Sequence, residues 1–299
     1  MIPGINFSDQ ALIHQSVTET YHGLTSVLLS FARSAKETPE ESTHQVRKKL
    51  KLFRAFTKLV RLCSDPAAYS AANIFLRNLG REFSDLRDAH VRRFHLQECS
   101  LPGASSGFKD LITEVNLFND EIISRIENEI LAVDNRFQWF ADELKSNNEL
   151  SAYFTELDAS EDQIMNAYTD TFVKSRQAFE SGILFPDAEL MHEWRKRMKD
   201  LQYQTELIAG ESHTDGISFY PAVELLCDHL GEMNDLHMLA AWAAEHEKDL
   251  RNSDGLKAWI SELKYRKNKL HRESEELGSE LYQLSSMDVW DAVRSAVNE

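Results

Sequence analysis

The chain has 299 residues, with 49 Asp and Glu against 33 Lys and Arg and a formal net charge of −16. That length suits one large domain or two small ones, and 6 Pro and 11 Gly among plentiful Glu, Leu, Lys and Ala favour an all-α protein. No apolar run approaches the roughly eighteen residues of a membrane span; with no Lys or Arg before Arg33 and no cleavable apolar core, no signal peptide is expected; and Cys63, Cys99 and Cys227 lack metal or redox spacing. The expectation is buried thiols in a reducing cytoplasm.

In chain order, a first helix is predicted over about residues 8 to 36. A second opens at Thr38-Pro39-Glu40-Glu41, read as a capping box with Pro at the first helical position, and ends before Asp65-Pro66. Helices follow at about 67 to 80 and 83 to 99, then a loop from Leu101 to Gly107. Long acidic amphipathic stretches cover about 108 to 145 and 149 to 181. Phe185-Pro186-Asp187 opens another helix, the chain breaks from Gly210 to Ser218, and helices at about 219 to 230, 233 to 251, 254 to 285 and 287 to 297 complete it.

Two of these helices carry the same pattern: His44-x-x-Arg47-Lys48-x-x-Lys51 and His192-x-x-Arg195-Lys196-x-x-Lys199. At 100° per residue, with each histidine at zero, the Arg falls at about 300°, the first Lys at about 40° and the second at about 340°. All four therefore share one helix face. Arg54 and Lys58 extend the first stripe, while Val46, Leu50, Phe53, Phe56 and Val60 take the opposite, apolar face. Residues 44 to 61 hold seven Lys and Arg and no acid in an otherwise acidic chain. Like charges three and four residues apart repel by a few tenths of a kcal/mol, so an external anion is the natural counter-charge.

The repetition extends further. A shift of about 147 residues aligns Asp88-Ala-His90 with Asp235-Leu-His237, downstream of each basic helix. The economical architecture is two pseudo-symmetric four-helix-type bundles, about 1–147 and 148–299, joined as one domain around a basic central channel lined by both stripes.

These motifs, with the run His192-x-x-Arg195-Lys196-x-x-Lys199-x-x-x-Tyr203, resemble the CHAD family, the conserved histidine α-helical domain, and the resemblance covers nearly the whole chain. The resemblance implies a helical double bundle whose channel binds inorganic polyphosphate without catalysis or cofactor. It assigns His44, Arg47, Lys51 and Arg54 to the first motif, and His192, Arg195, Lys196, Lys199 and Tyr203 to the second. Lys48 stands where the family usually has an apolar residue, and Gln202 replaces a frequent arginine. A Glu-x-Glu-x-Lys signature of a CYTH-type triphosphatase is absent, so no such domain is expected to precede it.

Polyphosphate suits these side chains because it offers negative charge with no base edges to read. Arg forks engage two phosphate oxygens, Lys supplies mobile charge, and His gains charge near neutral pH. Arg87, with Arg92 and Arg93 nearby, is a further candidate, and Lys264, Lys267 and His271 form a third basic stripe that is either another channel wall or a solvated face. Asp88 and Asp235 are expected to orient neighbouring cations. Two other readings compete. A metal-dependent phosphohydrolase would use Asp88, His90, Asp235 and His237, but i, i+2 spacing points side chains about 200° apart on a helix. A nucleic-acid module would use the same basic face, against an acidic exterior and without interleaved aromatic residues. The location expected is cytoplasmic, at polyphosphate granules.

Overall fold

A computed structural model describes residues 4–98, 106–185, 187–210, 212–248 and 253–297. Among them are twelve α-helices and no strand: α1 (Gln10–Ser34), α2 (Pro39–Leu59), α3 (Pro66–Arg81), α4 (Ser84–Glu98), α5 (Ser106–Asn128), α6 (Arg136–Ser146), α7 (Asn148–Thr155), α8 (Glu161–Leu184), α9 (Ala188–Ala209), α10 (Tyr220–Glu245), α11 (Ser253–Leu281) and α12 (Ser286–Ala296). The protein is all-α, as its composition implies. None of the described helices is long and apolar enough to cross a membrane.

Local chemistry sets most helix starts. Asp9, Asp65 and Asp187 each accept hydrogen bonds from backbone N–H groups of the first turn, and Ser160 and Ser285 form reciprocal capping boxes with Gln163 and Asp288. Thr38 departs from expectation. Its hydroxyl turns back to the Ser34 carbonyl at 3.3 Å and makes no cap bond, so Pro39 and the acidic first turn begin α2 unaided. The stretch at 108–145 is not one helix. A π-helical turn at Glu129–Val133 and left-handed Asn135, at φ 46°, separate α5 from α6. The 149–181 stretch is likewise divided, into α7 and α8. Conversely, the segments read as 219 to 230 and 233 to 251 are one helix, because buried Leu230 and Met233 carry α10 through Gly231. Leu101–Ser105 of the expected loop and Cys99 lie outside the described residues, while Ser106 and Gly107 already belong to α5.

Packing follows the apolar faces. Val46, Leu50, Phe53, Phe56 and Leu59 of α2 are almost fully buried, and α2 lies on α1, α3 and α9. Phe154 of α7 stacks on Phe56 at 4.8 Å and on Tyr21 of α1 at 5.3 Å, so α7 packs with α1 and α3. The helix that opens the second half of the sequence is thus built into the core of the first. In turn α8 and α9 pack together under α12, with Trp194 fully buried. Gly278 lets α11 approach that layer closely: a Cβ there would stand 2.6 Å from Phe179. A separate apolar cluster, Leu96, Leu111, Val115, Leu236, Leu239 and Trp259, joins α4, α5, α10 and α11 away from the main core. Cys227 is buried and Cys63 half-buried, and burial pushes their thiols up to about 12 and about 11.

Phe53 is completely buried against Tyr21 and Phe154. Phe53→Ala is expected to destabilise the protein by about 3 to 5 kcal/mol. Urea denaturation followed by circular dichroism measures this, and an unchanged midpoint would reverse the assignment of the buried face.

Candidate functional site

Between the two clusters, α2, α4, α9 and α10 surround a cleft of about 1250 Å³. Each wall presents residues about one turn apart. From α2 come His44, Arg47, Lys48 and Lys51; from α4, Arg87, His90 and His95; from α9, Arg195, Lys199 and Tyr203; from α10, Cys227, Gly231 and Asp235. A Cβ on Gly231 would meet nothing within 4 Å, which places this position against open space in the α10 wall.

The cations of the two matched motifs face one another. Burial lowers the Arg47 pKa, and Arg87 and Arg195 lower it further against the pull of Asp88 and Asp85. Protein surrounds Lys51 deeply; that burial, then Arg195, Arg47 and Arg87, pushes its ammonium down to about 7. Lys51 is nevertheless an exposed residue by surface, because the cleft is wide. Water in the cleft therefore softens the shift, while the three guanidinium groups maintain it. The His44 imidazole is held below its usual value by burial, then by Arg87, Lys48 and Lys51, with Glu41 opposing.

Acidic residues also line the cleft, Glu40, Glu41, Glu127, Asp228, Glu232 and Asp235 among them, and Asp235 with nearby Asp88 acts on several of the cations. Burial would raise the Asp235 carboxyl, but His95, 3.7 Å away, and the charge of Arg195 outweigh it and hold Asp235 below the usual range. At Asp88, burial outweighs Arg47, Arg92 and Lys51 and raises the pKa. Neither acid forms a short ion pair with a cleft cation. Arg47 Nη1 donates to the Gly80 carbonyl at 2.5 Å and to Ser84 Oγ at 2.8 Å, which locks this guanidinium to the α3–α4 corner. The Nε atoms of Arg47 and Arg195 are buried without a hydrogen-bond partner. The side chains of Lys48, Lys51, Arg87 and Arg195 make no hydrogen bond, and no ion pair of 4 Å or less, among the described residues.

Other residues of the basic stripes are not brought into this cleft. Lys58 donates to both Asp200 carboxylate oxygens, at 2.7 and 2.6 Å, where α2 crosses α9. Arg54 Nε donates to Asn73 at 3.1 Å. Lys196 turns outward to Glu193, which also pairs with Arg197. Arg92 bonds Asn119 at 3.0 Å and stands 4.9 Å over the Trp242 ring, and Arg93 pairs with Glu40. Each of these cations already has a partner. Lys264 is exposed and lines neither the cleft nor the pocket beside it. His192, Lys267 and His271 line that smaller pocket between α9, α10 and α11, where His192 Nδ1 donates to Asn234 Oδ1 at 3.2 Å. The third stripe is therefore neither a wall of this cleft nor wholly a solvated face.

The Asp-x-His pairs do not assemble. His90 turns to Glu127 at 3.2 Å, and Asp235 faces His95 at 3.7 Å, not His237. Among the described residues no three His, Cys, Asp or Glu converge to hold a metal ion. His95, absent from either sequence motif, is the cleft residue that sequence reasoning missed. Its only signal was a position one turn beyond Val91 on the cleft side of α4.

Comparison with known proteins identifies the family and the fold. The CHAD domain family model matches residues 24–244. A crystal structure of the CHAD domain from the plant Ricinus communis superposes with a TM-score of 0.69 at 17% identity, covering 96% of each chain. PptA from Streptomyces chartreusis superposes with a TM-score of 0.68 at 13% identity, covering 89% of this chain and 99% of its own. No curated protein matches the chain.

Because the Lys51 pKa falls from an unfolded value near 10.5 to about 7 on folding, the unfolded chain binds more protons between those limits. Stability contributed at this position is therefore lowest below pH 7 and recovers as pH rises towards 10. Lys51→Met is expected to raise the melting temperature at pH 6 to 7 and to flatten its rise between about pH 7 and 10. Calorimetry across that range checks this, and parallel profiles for parent and variant would show Lys51 free of its neighbours.

Proposed function

The chain belongs to the CHAD family, and we propose that it binds inorganic polyphosphate in the cleft between α2, α4, α9 and α10 without turning it over. The observation that carries this is the group Lys48, Lys51, Arg87 and Arg195, which project into one cavity without a short-range carboxylate or hydrogen-bond partner. Cations held together at this density repel, and burial together with that repulsion holds the Lys51 ammonium below its usual value. A flexible chain of phosphates relieves all of them at once. Discrete substrates would meet fewer cations, and a nucleic acid would find one well-exposed ring, Phe94, at the rim, with Tyr203 buried. A protein that holds polyphosphate without consuming it would be carried to polyphosphate granules.

Polyphosphate binding is expected to weaken with salt at a log–log slope of roughly −4 if six cations (Arg47, Lys48, Lys51, Arg87, Arg195 and Lys199) engage the chain, taking the single-strand value of about −0.7 per charge. Isothermal titration across salt concentrations measures it, and a flat profile would remove the cleft from consideration. The variants separate roles. Arg195→Ala should weaken binding with little loss of stability, Lys58→Ala should lose stability by stranding Asp200, and Lys196→Ala should leave binding unchanged. Charge-matched RNA binding as tightly as polyphosphate would favour a nucleic-acid module, and orthophosphate release would reveal a hydrolase. Affinity should fall as pH rises from 7 to 9, because bound phosphate restores the proton that Lys51 loses in the empty cleft.

A further inference from the structure

The second pocket, about 480 Å³ between the first turns of α9 and the middle of α10 and α11, has a composition unlike the cleft. Its inner wall is apolar: Met191, Leu230 and Met233, the last two buried. Tyr265 lines the pocket with 62% of its surface exposed, so one face of an aromatic ring is available. Around these stand Lys267 and Arg272 and three imidazoles, His192, His237 and His271.

The sign of the pocket is positive. Asp187 is its one acidic residue, and its carboxylate is already engaged by the Glu189 and Leu190 N–H groups as the cap of α9. Neither Lys267 nor Arg272 has an ion pair within 4 Å among the described residues. His237 senses the field: burial and then Lys267 hold its imidazole below the usual value. One further group points to a ligand. The His271 Nε2 is buried with no hydrogen-bond partner, although His192 across the pocket has Asn234.

Inorganic polyphosphate has nothing to place against two methionines, a leucine and a tyrosine ring. A bare organic ring has nothing to offer two cations and an orphaned imidazole. We propose that this pocket binds an organic phosphate with a flat apolar body, of the nucleoside monophosphate kind, its phosphate on Lys267, Arg272 and His271 and its ring against Met191, Met233 and Tyr265. The volume lies within the several-hundred-Å³ range of small-molecule sites, which join an apolar lining to a few convergent polar groups. The site is separate from the proposed polyphosphate cleft and stands whether or not that reading holds.

The test uses AMP as probe on the full chain, labelled with ¹³C at the methionine methyl groups, with adenosine and orthophosphate as the two halves of the ligand. AMP is expected to bind at least about tenfold more tightly than either half and to shift the Met191 and Met233 methyl signals. Lys267→Ala combined with His271→Ala should weaken AMP about tenfold or more while circular dichroism and polyphosphate binding stay unchanged, and Arg195→Ala should leave AMP binding intact. Adenosine alone binding as tightly as AMP would overturn the phosphate assignment, and orthophosphate doing so would overturn the apolar one. Methyl shifts that bypass Met191 and Met233, or AMP binding that tracks Arg195, would move the ligand elsewhere. Should the double variant lose its helical signal, Lys267→Glu alone replaces it, with the same loss of AMP expected.

Discussion

The cost of holding like charges together governs this molecule. Arg47, Lys51, Arg87 and Arg195 come from three different helices, and Arg87 and Arg195 lie close enough to lower the proton affinity of both Arg47 and Lys51. Asp88 and Asp235 offset that repulsion only in part. The cations stay because α2 and α9 are pressed together further along by apolar burial, by the Lys58–Asp200 pair, and by the Gln204 side chain donating to the Ala55 carbonyl at 3.2 Å. A crossing that is oily and paired at one end thus keeps an unpaired, positive opening at the other. Arg47 shows the same division within one side chain, since one nitrogen ties it to the α3–α4 corner while its Nε is left without a partner.

Helical periodicity made the cationic face of α2 legible, because a side chain's direction around a helix depends on sequence position alone. How far along the helix that face stays open depends on where α9 crosses, and this is not local information. Lys58 and Asp200 are 142 positions apart, so no spacing rule connects them, and Lys58, read from the sequence as a ligand, is paired with Asp200 where α2 crosses α9. Lys196 is different. Glu193 sits three residues before it and four before Arg197, an arrangement that a count of neighbouring acids could have read as a surface ion pair. Helix limits failed for equally specific reasons. Asn135 in a left-handed conformation ended a stretch whose amphipathic pattern runs on, and burial of Leu230 and Met233 continued one helix across Gly231 where two were expected.

Charge also differs between the two outer corners of the molecule. Where α2, α4 and α5 meet, Glu40, Asp120 and Glu127 surround Arg93 in a pocket of about 520 Å³. Where α9, α10 and α11 meet, Lys267, Arg272 and three histidines surround an apolar floor. A repeated motif therefore does not entail repeated surroundings. At the first corner Arg93 is taken up by Glu40 and approaches Asp120 at 3.9 Å, whereas at the second the cations have no such partners.

The two cavities on the α9–α10 side are joined through side chains. His192 donates to Asn234 Oδ1, and Asn234 Nδ2 donates to Asp235 Oδ1, each at 3.2 Å; the other oxygen of Asp235 stands 3.7 Å from His95. This line fixes the orientation of the Asn234 amide, since only its oxygen can accept from the imidazole and only its nitrogen can donate to the carboxylate. Asp235 in turn is the carboxylate that tempers Arg195, Lys51 and Arg87 across the cleft. The most recognisable residue of the second motif thus acts on the cationic cleft at two removes, by holding the residue that holds its counter-charge. Moving His192 would free Asn234 to turn, weaken its hold on Asp235 and change the field that Arg195 experiences, without any direct contact between His192 and the cleft.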